Sequence, residues 1–499
     1  MELLSYLATG FAVALTPANL GFALIGCLVG TLVGVLPGIG PVPTVAILLP
    51  LTFYLDPTSG LIMLAGIFYG AQYGGSTTSI LVNMPGETSS VVTCIDGHQM
   101  ARQGRAGVAL AIAAIGSLFA GTVSTLIIAL FAPPIAKVGL SFGSPEYFSL
   151  LVLGLIAAVV LAHGSVIKAV AMIILGLLLG LVGTDGNTGG TRFTFGLVTL
   201  SDGIGFVPVA IGVFGIGEVI ANLISPQQQR VVVAHKIRDL WPSREDFRLA
   251  FPAILRGTAL GSFLGILPGG GATLSSFAAY ALEKKTARDP SRFGKGAIEG
   301  VAGPESANNA GAQTSFIPML TLGIPGNAVM ALMIGALTIH GIQPGPQVMT
   351  ERPTLFWGLI ASMWIGNLML VIINLPLVGL WVQLLRVPYR LLYLGILMFC
   401  AIGVYTVSNN AFEVILAAIF GVLGYVFIRL GCEPAPMLLG FVLGPLMEEN
   451  LRRAMRISSG DPMIFVERPI SLALLIASGA LLVLIALPAI RSKRQEAFQ

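Results

Sequence analysis

Charged residues are scarce in this chain. Of its 499 residues, 10% are charged and 55% are hydrophobic, whereas an ordinary soluble protein carries roughly 25% charged residues. This composition excludes a soluble globular protein and predicts an all-α polytopic membrane protein. Because one span needs about 20 apolar residues, the length admits about 10–12 hydrophobic segments and leaves no room for a separate soluble domain.

Other absences narrow the function. The 27 Lys and Arg residues exceed the 23 Asp and Glu residues by only four, and they are dispersed, so no nucleic-acid partner is expected. The four cysteines have no CxxC spacing, which favours neither a disulfide framework nor a metal site. There is no HExxH, Walker A or GxSxG motif, so we predict no catalytic residues, no cofactor and no enzymatic activity. Any energy source would be an ion gradient or another polypeptide.

Glycine and proline, by contrast, are abundant, with 62 and 30 copies. In membrane helices such residues mark close helix packing or interrupted helices that line a cavity. Transport is therefore the leading hypothesis.

The sequence contains an internal repeat. GTLVGVLPGIG at 30–40 matches GSFLGILPGGG at 261–271, an offset of 231, and STTSILVNMPGE at 76–87 corresponds to TSFIPMLTLGIPGN at 314–327, with the Pro-Gly pairs offset by 240. The predicted organisation has five parts. They are an N-terminal interfacial or partly inserted segment at 1–18, transmembrane repeat 1 at 19–225, a cytoplasmic linker at 226–250, transmembrane repeat 2 at 251–448, and a loop, final span and basic tail at 449–499.

Basic residues predict the orientation, because short cytoplasmic loops accumulate them. The first basic residue is Arg102, and the most basic loop is EKKTARDPSRFGKG at 283–296. These loops belong inside, with the N-terminus outside and the C-terminus cytoplasmic. Equivalent loops of the two repeats carry opposite charge, which predicts inverted topology with a site near the membrane midplane. The basic stretch LRRAM at 451–455 is an exception, since the alternation of spans puts it outside.

The helix breaks are the first candidate site. Each repeat has an apolar run interrupted by a PGxG motif, where proline and glycine cannot continue the helix. A break presents free N–H groups that suit an anion, although a kink used only for packing is the alternative. Polar segments before each Pro-Gly pair could hold a carboxylate or Na⁺, or could simply bond neighbouring helices.

Glu305 is an ionisable residue in an apolar setting, and such residues are functional candidates. Its alternative place is the membrane edge beside Lys295 or Arg292. The candidate substrate- or ion-binding residues are Pro37, Gly38, Gly40, Ser76, Thr77, Thr78, Ser79, Asn83, Pro268, Gly269, Gly271, Glu305, Asn308, Asn309, Thr314 and Ser315. The candidate hairpin hinges are Pro85, Gly86, Pro325 and Gly326.

The paired PGxG motifs, YGGSTTSILVNMPGE and PESANNAGAQTSFIPMLTLGIPG resemble the large membrane subunit of the bacterial tripartite tricarboxylate transporter family, from about 20 to 450. The resemblance implies a permease of the bacterial cytoplasmic (inner) membrane, with a small four-span membrane subunit and a periplasmic solute-binding protein as partners. It also implies import of citrate or other carboxylates by symport with Na⁺ or H⁺. A membrane scaffold or channel subunit without coupled transport is the alternative.

Overall fold

A computed structural model describes residues 2–36, 40–161, 165–186, 188–224, 241–267, 271–384 and 389–486. These residues are mostly helical, and their strands form one short antiparallel hairpin. It consists of β1 (Gly183–Thr184) and β2 (Thr191–Arg192), with Gly183 opposite Arg192.

The described residues before 225 form ten α-helices. They are α1 (Glu2–Ala14), α2 (Pro17–Val35), α3 (Pro41–Thr52), α4 (Pro57–Val82), α5 (Val91–Met100), α6 (Ala106–Leu140), α7 (Ser144–Leu161), α8 (Val166–Gly180), α9 (Phe206–Ala210) and α10 (Gly217–Ile224). Short 3-10 turns cover Thr88–Ser90 and Val198–Leu200, and π-helical turns cover Ala101–Arg105 and Ile211–Ile216.

The described residues after 240 form thirteen more α-helices and one 3-10 turn, Pro290–Arg292. They are α11 (Arg244–Ile266), α12 (Gly271–Thr286), α13 (Glu299–Thr314), α14 (Phe316–Leu322), α15 (Ala328–Ile339), α16 (Gln347–Glu351), α17 (Pro353–Asn374), α18 (Val378–Leu384), α19 (Tyr389–Ser408), α20 (Ala411–Arg429), α21 (Ala435–Ile457), α22 (Ile464–Glu467) and α23 (Pro469–Ala486).

Many of these helices have the length and composition of membrane spans. Six helical stretches of the described chain are long and apolar enough to cross a bilayer: Pro17–Val35, Thr88–Leu140, Phe206–Ile224, Arg244–Ile266, Pro353–Asn374 and Ala411–Arg429. Seven shorter apolar helices accompany them. The prediction of an all-α polytopic membrane protein is confirmed.

Local sequence explains where several helices begin. The Thr16 hydroxyl accepts a hydrogen bond from the backbone N–H of Asn19, and Pro17 opens α2. The Asp56 carboxylate accepts from the N–H of Thr58 at 2.9 Å, ahead of Pro57 in α4. A side-chain oxygen before the first turn satisfies N–H groups that lack a helical partner, and proline fits that turn because it lacks the donor.

The internal repeat is also a repeat of helix packing. Helix α2 packs closely on α4, and α11 packs closely on α13. A Cβ atom at Gly30 would lie 2.3 Å from the carbonyl oxygen of Ile67, and one at Gly261 would lie 2.3 Å from that of Ala307. These pairs are related by the offsets of 231 and 240 found in the motifs. The same offsets relate the contact of Gly26 with Met63 to that of Gly257 with Gly303. They also relate the contact of Gly34 with Ala71 to that of Gly265 with Gly311.

The two halves are interlocked rather than stacked. Helix α8 packs on α21, while α20 packs on α9 and α10; likewise α6 packs on α13, while α17 packs on α4. Each of these helix contacts between the halves therefore has an equivalent contact related by the repeat, as expected for two related units that meet about an approximate two-fold axis. Their inversion across the membrane stays a prediction from the loop charges.

The exceptional basic stretch at 451–455 is neutralised by ion pairs. Arg452 lies 3.1 Å from an oxygen of Asp185 and 2.7 Å from one of Glu448, and Arg192 reaches the same two carboxylates. The β1–β2 hairpin and the end of α21 are thus joined by a four-residue ion-pair network. The side of the membrane on which this stretch lies stays a prediction.

Candidate functional site

A cavity of about 500 Å³ lies where the two halves meet. Both helix breaks border it, through Gly40 and Gly271, and so do both Pro-Gly hairpins, through Gly86 and Asn327. The first hairpin is held tightly in place, because a Cβ atom at Gly86 would lie 2.1 Å from the carbonyl oxygen of Gly34. The repeated motifs therefore converge on one space.

The cavity is surrounded by the beginnings of helices. Its wall includes the first residues of α3, α12, α15 and α21 and the Thr88–Ser90 turn that leads into α5. The first N–H groups of a helix have no acceptor within the helix, and the peptide dipoles place partial positive charge at that end. An anion in this cavity would meet a favourable potential from five chain segments.

The two helix breaks offer different numbers of donors. Pro41 and Pro43 remove two N–H groups from the first turn of α3. The first turn of α12 contains Gly271, Ala272 and Thr273, each with an N–H group. Helix α12 therefore has the stronger anion-binding end.

Three carboxylates also line the cavity, those of Glu87, Glu218 and Glu433, while none of its described lining residues is Lys, Arg or His. The Glu87 carboxylate accepts a hydrogen bond from the Ser89 hydroxyl and another from Nδ2 of Asn308 at 3.2 Å. Binding of an anion here would bring like charges together, which requires a proton or a cation to offset them.

Glu305 is buried and does not line this cavity. It is 2% exposed, and its carboxylate accepts hydrogen bonds from the hydroxyls of Ser76, at 2.5 Å, and Thr93. Arg292, one of the two suggested neighbours, pairs with Glu299 at 2.9 Å. Glu305 is therefore a buried carboxylate at the contact between α13 of the second half and α4 and α5 of the first.

Most of the predicted hydroxyl residues bond the backbone and do not line the cavity. Ser79 donates to the carbonyl of Ser90, Thr78 to that of Val35, and Thr77 to that of Tyr73. In the second half, Thr314 donates to the carbonyl of Ala310 and Ser315 to that of Ala312. These hydroxyls donate to backbone carbonyls of their own helix or of a neighbouring segment, which is the alternative use of hydroxyls in membrane helices.

The remaining predicted residues have varied positions. Asn309 donates to Ser117 and Asn367. Asn83 ends α4 in the left-handed conformation, as Gly323 ends α14. Pro85 lines the cavity, whereas Pro325 and Gly326 are buried. Four predicted residues lie outside the described part of the chain: Pro37, Gly38, Pro268 and Gly269.

Several cavity residues were missing from the prediction. They are Gln72, Glu87, Thr88, Ser89, Glu218, Thr273, Asn327 and Glu433. Asn327 follows Pro325-Gly326 as Glu87 follows Pro85-Gly86, so the repeat itself contained the signal for this pair. Glu218 is acidic within an apolar helical stretch, and that is also a signal for function.

Comparison with known proteins gives a family and two relatives. Residues 20–439 match the tripartite tricarboxylate transporter TctA family. The chain is 60% identical over 498 residues, 100% of its length and 99% of the relative's, to an uncharacterized 52.8 kDa protein in the TAR-I ttuC' 3' region of Agrobacterium vitis. It is 62% identical over 238 residues, 48% of its length and 98% of the relative's, to an uncharacterized protein in the TAR-II ttuC' 3' region of the same organism. No solved structure matches.

Proposed function

The chain belongs to the tripartite tricarboxylate transporter TctA family, and from this premise we propose that it is the large permease subunit of a binding-protein-dependent secondary transporter. It imports tricarboxylates or related organic acids across the bacterial inner membrane, driven by a Na⁺ or H⁺ gradient. Its partners are a small four-span membrane subunit and a periplasmic solute-binding protein.

The observation that carries this proposal is the convergence of helix beginnings on one cavity. A carboxylate needs hydrogen-bond donors and positive potential, and the first turns of α12 and α15 supply both without a basic side chain. Discontinuous helices that point their N-termini at an anionic group are a known construction for substrate sites in secondary transporters.

The acidic lining supports coupled transport. A carboxylate substrate would be repelled by ionised Glu87 and Glu218. If protons or cations enter with the substrate, this repulsion is removed, and the substrate and the coupling ion then favour each other's binding. A channel or scaffold would not need this arrangement.

The test is uptake of radiolabelled citrate into proteoliposomes that contain the chain with its small subunit and binding protein. We expect accumulation under an inward Na⁺ or H⁺ gradient. Uptake of a different acid, presented by its own binding protein, would support the transporter and change the substrate. If no acid accumulates under either gradient, the scaffold or channel alternative is favoured.

Two matched variants connect uptake with the cavity. Thr273 lines the cavity near the start of α12, and Thr286 is exposed at the end of the same helix. Thr273→Trp should fill the cavity and abolish accumulation, whereas Thr286→Trp should retain it. Equal uptake by the two variants would exclude the cavity as the substrate site.

A further inference from the structure

We propose that Glu305 binds the coupling ion and that this ion is a proton. The inference deepens the proposed function and depends on it. It assigns proton binding to a buried carboxylate outside the substrate cavity, held by hydroxyl groups from the opposite half of the protein.

Glu305 belongs to the second half of the protein, and its side chain contacts the first half. It lies in the middle of α13, is 2% exposed, and is bonded by Ser76 of α4 and Thr93 of α5. Any movement of α13 against α4 and α5 would change these bonds. The carboxylate therefore has the contacts needed to couple its charge to the arrangement of the halves.

The charges around Glu305 do not include a counter-ion among the described residues. Its titratable neighbours are Tyr73 of α4, Cys94 of α5 and Glu87, which follows the Pro85-Gly86 pair. None of them is a cation. An ionised carboxylate buried in a membrane without a partner is costly, and neutralisation by a proton removes that cost.

A basic side chain of α11, one of the helices packed against α13, already has a partner. Arg256 of α11 donates to both oxygens of Glu283 of α12, at 2.9 and 2.5 Å. Asp96 of α5 accepts from the N–H groups of the loop before α13 and from the Tyr280 hydroxyl. Helix α6 contributes the Ser117 hydroxyl, 3.5 Å from the carbonyl oxygen of Glu305.

The hydrogen-bond count favours the protonated acid. The Ser76 hydroxyl lies 2.5 Å from Oε2 of Glu305 and 3.0 Å from the carbonyl oxygen of Gln72. A hydroxyl has one hydrogen, so it cannot fully serve two acceptors. With a proton on Oε2, the acid donates to Ser76, Ser76 donates to Gln72, and Thr93 donates to Oε1.

Polar groups connect Glu305 with the substrate cavity. Gln72 lines that cavity, and the Ser89 hydroxyl lies within hydrogen-bond distance of both the Gln72 side-chain oxygen and a Glu87 carboxylate oxygen. With one hydrogen, it donates to one of the two at a time. A second cavity of about 10 Å³ adjoins Ser76, and this is about the space of one water molecule. A proton taken from the substrate cavity would convert the Glu305 carboxylate to the neutral acid. Release of this proton to the opposite side of the membrane would restore the carboxylate.

The experiment compares Glu305→Gln with Glu299→Gln in proteoliposomes of the complete transporter. Glu299 lies on the same helix and pairs with Arg292, so it is a matched control. Three activities are measured with radiolabelled acid: accumulation driven by a pH gradient without Na⁺, accumulation driven by Na⁺ with a protonophore, and exchange without any gradient. A pH-sensitive dye inside the vesicles reports proton entry.

We expect the wild-type protein and Glu299→Gln to accumulate the acid under a pH gradient, with proton entry. Glu305→Gln, which is permanently neutral, should still exchange the acid but fall to the equilibrium level, without proton entry. Retained exchange shows that the variant folds and that the proposed function holds. Two results would overturn the proton assignment while leaving the transporter proposal intact. One is accumulation by Glu305→Gln under a pH gradient, and the other is wild-type accumulation driven by Na⁺ alone.

A second variant keeps the test decisive if Glu305→Gln does not fold. Thr93→Val preserves the side-chain shape and removes a donor that favours the ionised form of Glu305. The pH at which uptake is half-maximal should therefore move upward in Thr93→Val. An unchanged pH profile would contradict the role of Glu305.

Discussion

Gly30 and Gly261 hold equivalent positions in the two halves, where a Cβ atom at either would lie 2.3 Å from a carbonyl oxygen of the facing helix. A backbone oxygen cannot move aside as a flexible side chain can. The absence of a side chain at these two glycines therefore sets the distance of α2 from α4 and of α11 from α13.

We expect Gly30→Ala and Gly261→Ala each to destabilise the protein, because overpacking costs about 1–3 kcal/mol and these contacts involve backbone. The measurement is the melting temperature of the detergent-solubilised protein. Gly21, on the same helix as Gly30, is a matched control, since its Cβ atom would meet none of the described residues within 4 Å. Equal melting temperatures for Gly30→Ala and Gly21→Ala would contradict the packing interpretation.

The fold was predictable because its signals are local and repeated. Long apolar stretches predicted the helical membrane protein, and the PGxG and Pro-Gly pairs marked elements that meet at the cavity. Glycine spacing alone, however, did not predict which helices would face each other. The contact of Gly30 with Ile67 depends on how α2 is oriented against α4, and that orientation results from tertiary packing.

The candidate site was predictable only in part, since its wall joins distant segments. Glu218 and Glu433 are far in sequence from the repeated motifs, and only folding brings them to the same cavity. Ser79 and Thr314 belong to polar clusters, yet each bonds a backbone carbonyl. Hydroxyls in membrane helices serve both binding and packing, so the residue type alone could not distinguish the two uses.

The backbone at Gly40 provides a second prediction. Its φ of 64° and ψ of 176° belong to a region that is essentially restricted to glycine and costs other residues about 1–3 kcal/mol. Gly104 has φ 78° and ψ 11°, a left-handed conformation that asparagine tolerates. Gly40→Asn should therefore lower both uptake and melting temperature, whereas Gly104→Asn should change neither substantially. Similar losses in both variants would show that backbone conformation is not the cause.

Asp96 provides a third prediction, because it joins α5 to the loop before α13. It is fully buried, and one of its oxygens accepts from the N–H groups of Gly294, Gly296 and Ala297, while the other accepts from Tyr280. Removing a partner from a buried donor costs about 1–3 kcal/mol. Asp96→Ala should therefore lower the melting temperature more than Tyr280→Phe, which removes a single bond. The reverse order would contradict this role of the carboxylate.

The N–H groups at the start of α12 provide the last prediction. Ala272 follows Gly271 as Pro41 follows Gly40, at the offset of 231 residues. Ala272→Pro therefore copies a residue that the first half accommodates, and it removes one donor from the cavity wall. A hydrogen bond to a charged group contributes about 1.5–3 kcal/mol, so the KM for the acid should rise roughly 10- to 150-fold. Ala272→Ser keeps the N–H group and should leave KM near the wild-type value. The comparison requires that the two variants have similar melting temperatures. An unchanged KM in Ala272→Pro would then show that the substrate does not bind the N-terminus of α12.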